Sequence, residues 1–319
     1  MLSRRHLRIK VLQAAYAFFQ GGNDDLAKGE KQLLVSIDKI HELIIYQLSF
    51  LIEIKDYAAN RIVENKKKFF PTEDDLNPSL KFVENKGLKQ IEDNREFRKM
   101  HDKLKINWSD EQGMVRKAYL TLKDSGYYQK YIEQIEDSYE HDLNLLVRII
   151  KKTLLGFELL EYYYESKSVY WAFDAYHTAN LLLMKLLKSL DSSDDEYKVF
   201  PELLGIDELE EDREFMLGLF HKTILNSDKY AELIDDKAKN WELDRIALMD
   251  IILIKMALAE LMEFPSIPIK VTLNEYIDIS KYYSSAKSKV FINGILDKLI
   301  IDLKEEKKIK KTGRGLMEY

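Results

Sequence analysis

The sequence predicts an all-α protein. Three observations lead there. Gly (12) and Pro (5) together make up about 5% of 319 residues, where globular chains average ~12%, so the turns needed by sandwiches and barrels of short strands are missing. No proline falls between Ser79 and Phe200, and helix interiors exclude proline because it lacks the N–H and clashes with the preceding turn. Charged residues reach 33%, which suits solvated helix faces, while 46% hydrophobic residues argue against a disordered chain.

The elements follow in order. The first helix runs from about Ser3 to Gln20, with Ser3 as N-cap and Leu7, Val11, Ala14, Ala15 and Phe18 as its apolar stripe. Gly21-Gly22 ends it. Arg4, Arg5 and Arg8 crowd its first turns, where the helix dipole prefers acids, so their placement points to a functional demand. A long amphipathic helix is expected over Ala27–Phe69, closed by Lys66, Lys67 and Lys68. Residues 70–80 read as a loop and 80–105 as shorter helices. Trp108-Ser109-Asp110 reads as a helix start with Ser109 or Asp110 as cap, helices fill most of 110–190, and 191–201 is a polar linker.

The C-terminal third begins with an apolar helix, Ile246–Met262, that carries Asp250, Lys255 and Glu260 and therefore reads as buried, not membrane-spanning. FPSIP breaks it, and Pro268 fits the first turn of the next helix, which includes Val271, Ile277 and Ile279. SSAKSK is a polar connector. The last helix holds Gly294 in its interior, which is expected to admit a close neighbour.

Charge is unevenly spread. Residues 1–20 sum to +4 and 281–315 to +6, so 21–280 sum to −15 within a net charge of −6. An acidic body with basic ends is a candidate anion-binding surface if the ends meet. Zero cysteine excludes disulfides, thiolate metal sites and a cysteine nucleophile. It fits a cytoplasmic location, as does the polar, basic Met1–Lys10, which has no secretory pattern. No run of apolar residues is long enough to span a membrane. Six scattered histidines form no HExxH or i,i+4 pair, and no GxSxG, P-loop or GxGxxG is present, so neither an enzyme, a metal nor a cofactor is expected.

An internal echo appears at an offset of 70. Asp142 falls on Asp212, Lys152-Thr153 on Lys222-Thr223, Leu155 on Leu225, Lys167 on Lys237, Trp171 on Trp241, Asp174 on Asp244, Leu183 on Leu253 and Lys185 on Lys255. The unit would be a helical hairpin, or else a coincidence between two similar amphipathic pairs.

The stretch 244–299 resembles the NusB transcription antitermination family. Its characteristic pieces are Ile267-Pro268, Lys270-Val271, Asn274-Glu275 and Ser280-Lys281, then Phe291-Ile292-Asn293-Gly294-Ile295-Leu296-Asp297. The arginine-rich opening Arg4–Tyr16, RRHLRIKVLQAAY, matches the family's first helix. Typical members are less than half this length. The resemblance therefore implies a NusB-like helical bundle made of 1–20 and 205–303, a helical insertion at 21–204, and a flexible basic tail at 304–319.

What the resemblance implies about function is specific. Family members bind boxA-like single-stranded leader RNA together with NusE, a small ribosomal-subunit protein. They join the RNA polymerase elongation complex with other Nus factors on ribosomal RNA operons. Carried over position by position, the RNA-contacting residues would be Arg4, Arg5, Arg8 and Tyr16 on the first helix, and Lys287, Lys289 and Phe291 around the start of the last. Phe291 is equally placed for core packing, and Asn293 and Gly294 for helix packing. The family's connector is often acidic; here Lys287 and Lys289 replace the acids and should strengthen phosphate attraction. The domain also occurs fused to a ribosomal RNA cytosine methyltransferase, which needs catalytic cysteines that this chain lacks. The rival reading is a helical protein–protein scaffold that no longer binds RNA. The sequence leaves the oligomeric state open, a homo-oligomer included.

Overall fold

The computed structural model describes residues 2–22, 24–200, 210–238, 247–285 and 287–317. The protein is all-α, with no strand among these residues. The helices are α1 (Arg4–Gln20), α2 (Leu26–Asn65), α3 (Glu73–Leu76), α4 (Lys86–Asp93), α5 (Arg95–Leu104), α6 (Gln112–Lys123), α7 (Gly126–Glu133) and α8 (Tyr139–Ile149). They continue with α9 (Glu158–Lys167), α10 (Ala175–Ser189), α11 (Glu210–Leu225), α12 (Ser227–Ala238), α13 (Leu248–Glu263), α14 (Ile269–Tyr283) and α15 (Ser288–Glu305). No described helix is long and apolar enough to cross a membrane.

The chain forms two compact units, a middle unit of residues 38–205 and a terminal unit of 2–37 with 206–319. The division falls inside α2, not at residue 21 where the insertion was expected to begin. Packing explains the difference. A Cβ on Gly29 would stand 2.8 Å from Phe220 Cζ and 3.0 Å from Phe18, so only glycine lets the start of α2 lie this close to α11 and α1. His221 and Glu30 meet beside it at 2.9 Å. The expected boundary at 204–205 lies outside the described residues.

The middle unit is built on the buried face of α2, with Leu43, Ile44, Leu48, Leu51 and Ile54 at helical spacing. Three of its buried side chains form a polar network. Gln47 Nε2 donates to Asn180 Oδ1 at 3.0 Å, Tyr164 OH to Gln47 Oε1 at 3.3 Å, and Asn180 Nδ2 to Tyr176 O at 2.9 Å. Trp108 is buried and its Nε1 donates to Ser49 Oγ at 2.9 Å. That anchor changes the expected helix start. Neither Ser109 nor Asp110 caps α6. Asn107 Oδ1 instead accepts from Ser109 N at 2.8 Å, and a short 3-10 turn, Ser109–Glu111, leads into α6. The expected loop 70–80 contains one helical turn, α3, closed by a Thr72–Asp75 capping box.

The echo at offset 70 has a structural counterpart. At that offset α8 with its π-helical extension Ile150–Leu154 corresponds in sequence position to α11, α9 to α12 and α10 to α13. The matched Thr153 and Thr223 are both buried, as are Leu183 and Leu253. Trp241 and Asp244 lie outside the described residues.

In the terminal unit α13 is the central element, packed against α1, α11, α12, α14 and α15. Nearly every side chain from Ile252 to Leu261 is buried, as for a helix apolar all round. Ser3 caps α1 as expected, accepting from His6 N at 3.3 Å. The segment after α15 does not run free. Lys307 turns the chain with φ 53°, Lys308 N donates to Leu303 O at 2.9 Å, and Thr312 N donates to Pro265 O at 3.0 Å. The run 304–317 is thus folded back onto the α13–α14 corner, where the expectation was a flexible tail: backbone groups, the Lys311 ammonium and Gly315 make the contact, while its other charged residues are exposed.

Two predictions follow from this packing. A Cβ at Gly294 would meet nothing within 4 Å, so the expected close neighbour is absent and the glycine only weakens α15. Gly294→Ala is expected to raise stability by roughly 0.5–1 kcal/mol in a urea titration; a loss would show that Cβ meets something. His41 is 3% exposed and both ring nitrogens lack partners, and burial pushes its pKa down to about 4. A lowered folded value leaves stability intact above pH ~6.5 and erodes it as pH falls from there through 4, by about 3 kcal/mol at most. Unfolding of the middle unit, followed by Trp108 and Trp171 fluorescence, should show that loss, and His41→Leu should flatten it.

Candidate nucleic-acid interface

The arginines singled out on α1 occupy its first two turns, and the backbone N–H groups of the first turn have no intrahelical partners. No acid sits in that turn. The compensating carboxylates come from other helices of the terminal unit. Arg4 Nη2 donates to Glu211 Oε1 at 2.6 Å, and its guanidinium lies 4.3 Å from the Phe215 ring centroid. Arg5 grips Glu275 with two bonds of 2.8 Å and reaches Asp278 at 3.1 Å. Both arginines remain substantially exposed and line an open cleft of about 1220 Å³ floored by Phe215, Phe264 and Ile267.

Arg8 is different. It is 3% exposed and forms a fork-to-fork pair with Glu260, at 2.7 and 2.8 Å. Thr272 Oγ1 donates to Glu260 Oε1 at 2.9 Å and Tyr276 OH to Oε2 at 3.1 Å. Burial works against the Arg8 charge, but the bonds to and charge of Glu260 outweigh it, so its pKa is raised. With Nε and Nη2 bonded to Glu260, Nη1 turned to Glu275 at 3.8 Å and the side chain buried, Arg8 is part of the core and is not open to a phosphate. Phe291, 4% exposed, belongs there too.

Tyr16 is half-buried on the second half of α1. Gln13 Nε2 donates to Tyr283 OH at 3.5 Å, while Arg5 meets Glu275, so α1 and α14 run parallel and the end of α14 lies beside the Tyr16 end of α1. The connector after α14 then delivers Lys287 and Lys289, both exposed and with no carboxylate partner among the described residues. α1 and α15 share α13 as a neighbour. The seam therefore has arginines at one end and lysines at the other. Arg4 and Tyr16 are separated by about 18 Å of helix, at ~1.5 Å per residue.

Sequence reasoning missed the acids that hold the arginines, Glu211, Glu260, Glu275 and Asp278. It also missed Tyr282, which is 83% exposed beside the connector. Glu275 was visible as part of the Asn274-Glu275 pair, but nothing local assigned it to Arg5. Among the described residues no cluster of His, Asp and Glu is placed to hold a metal ion.

Comparison with known proteins decides the family. Residues 177–300 match the NusB family. The chain is 37% identical over 138 residues to the transcription antitermination protein NusB of Salinibacter ruber, an overlap of 42% of this chain and 86% of that protein.

The chain belongs to the NusB family.

NusB proteins of Chloroherpeton thalassium (38% over 106 residues, 33% of this chain and 50% of that protein) and Koribacter versatilis (39% over 101 residues, 32% and 69%) are also similar. No solved structure gives a significant match. The NusB match begins within α10, ahead of residue 205, and does not include α1.

The geometry separates the three α1 arginines energetically. Arg8→Ala leaves Glu260 buried with half its partners gone and is expected to cost about 3–5 kcal/mol. Arg4→Ala and Arg5→Ala remove exposed pairs and should each cost no more than about 1 kcal/mol. Denaturant titration of the three single variants checks the order; equal effects would contradict it.

Proposed function

We propose that this NusB-family chain is an RNA-binding transcription antitermination factor. It holds boxA-like single-stranded leader RNA together with NusE, the small ribosomal-subunit protein, and enters the RNA polymerase elongation complex with other Nus factors on ribosomal RNA operons. The observation that carries the reading is the 37% identity with a relative named transcription antitermination protein NusB, 86% of whose length is covered. The seam of α1 and α14 supports it with Arg4 and Arg5 at one end, and Tyr16, Tyr282, Lys287 and Lys289 at the other. Single-stranded RNA is recognised by cations on phosphates and by aromatic faces under unstacked bases. The role is that of an adapter: it neutralises phosphates, holds bases apart and presents a composite surface to other factors.

One observation favours the second reading, a helical scaffold without RNA binding. Arg4 and Arg5 already have carboxylate partners. Exposed pairs of this kind are worth only ~0–1 kcal/mol, so a phosphate can replace the carboxylate.

Fluorescence anisotropy with a labelled boxA-like RNA, with and without the NusE protein of the same organism, separates the two. Arg4→Ala/Arg5→Ala and Lys287→Ala/Lys289→Ala should each weaken binding about tenfold or more and lower the slope of log affinity against log salt by roughly 1.4. Arg8 is left intact, because its loss would test folding. Binding no tighter than to a scrambled RNA, with or without NusE, would move the weight to the scaffold.

A further inference from the structure

The basic segment after α15 ends in a built position. Lys311 Nζ is turned inward and donates to Phe264 O at 3.0 Å, with Glu260 O at 3.5 Å. Thr312 N donates to Pro265 O at 3.0 Å. Gly313 takes φ +53°, a left-handed conformation that glycine adopts without strain. Gly315 is packed so tightly on Pro265 that a Cβ there would stand 1.9 Å from its carbonyl oxygen. Between these two glycines the chain holds Arg314, which is exposed and lines the same cleft as Arg4 and Arg5.

The three cations differ in one respect. Arg4 and Arg5 are paired with Glu211, Glu275 and Asp278, whereas Arg314 has no carboxylate partner among the described residues. Among the described residues, an anion entering the cleft displaces no carboxylate to reach it. Arg314 also lies beyond the residues that match the NusB family, which end at 300.

We infer that the docked C-terminal segment completes the RNA-binding cleft, with Arg314 contacting a backbone phosphate of the single strand beside Arg4 and Arg5. The inference rests on the RNA-binding reading above. Its physical content is narrow: Lys311, Thr312 and Gly315 position the segment, Arg314 supplies the charge, and Phe264 and Ile267 offer an apolar floor to a neighbouring base. Burying the segment's backbone against Pro265 also fixes Arg314 before the ligand arrives, which lowers the ordering cost of binding.

The test uses the full chain and the same labelled RNA over a salt series. Arg314→Ala should weaken binding about fivefold or more and reduce the salt slope by roughly 0.7, the value for one phosphate of a single strand. Arg314→Lys should retain the slope. Gly315→Val keeps every charge but cannot dock on Pro265, and should match Arg314→Ala in both affinity and slope. Wild type that binds RNA while Arg314→Ala leaves affinity and slope unchanged overturns the inference and leaves the RNA-binding reading standing. A loss confined to NusE binding overturns it too, since that would make Arg314 a protein contact. Gly315→Val behaving as wild type while Arg314→Ala loses affinity would overturn the docked arrangement. Wild type that binds no RNA fails the reading itself, and the inference with it.

Discussion

The terminal unit depends on a carboxylate that has no contact with water. Glu260 is fully buried and takes four hydrogen bonds, two from Arg8, one from Thr272 and one from Tyr276. Two charges removed from water carry a desolvation cost of several kcal/mol each, which only good geometry and complete hydrogen bonding repay. Both conditions are met here. The consequence is positional: one carboxylate fastens α1, α13 and α14 in a single register. With Arg8 held on Glu260, Arg5 one turn earlier must face Glu275 on α14, and Arg4 must lie over Phe215 on α11. The buried arginine thus sets where the exposed ones stand.

The same logic extends along α13. Its three buried ionisable residues, Asp250, Lys255 and Glu260, are spaced by five positions. At ~100° per residue, five positions rotate the side chain by about 140°, so the three point to different sides of the helix. Each finds a separate partner. Ser284 donates to Asp250 from the connector before α15, Lys255 donates to Ser227 at the start of α12, and Glu260 receives Arg8 from α1. An all-apolar helix could rotate or slide in its socket with little penalty. Three polar anchors aimed at three neighbours leave one rotation and one depth that satisfy all of them.

How much of this was legible in the sequence depends on how local the cause is. The helical class, the Ser3 cap and the apolar α13 follow from composition and spacing, and the structure has them. The C-terminal motifs pointed to the NusB family, to which the chain belongs. The roles of the arginines were not legible, because their partners sit 207 to 273 residues away. One signal was available for Arg8, which stands at i, i+4 and i+7 to the buried Leu12 and Ala15 and so shares their inward face. Phe291 shares the stripe of Ile295 and Leu299 in the same way. The course of the tail was not legible because lysines dominate its composition, whereas backbone carbonyls and the absent side chain of Gly315 decide where it lies.

The paired state of Arg4 and Arg5 bears on selectivity under the proposed function. Between residues 21 and 280 the chain carries a net charge of −15, which repels nucleic acid at long range. Free guanidinium groups would attract any polyanion that came near. Held by Glu211, Glu275 and Asp278, they attract less at a distance and stay ordered for a ligand that reaches them. Exposed pairs are weak enough to exchange, and the carboxylates released return to water, Glu211 already having a side chain 90% exposed. Among the described residues Lys287 and Lys289 have no such partners, so under that function they are open to a first contact. A strand that engages only the lysines keeps the intrinsic weakness of one or two phosphates. A strand that spans the seam also displaces the carboxylates and gains the arginine contacts. Acidic partners therefore raise the threshold for binding more than they lower the final affinity, and that favours an RNA long enough to occupy both ends.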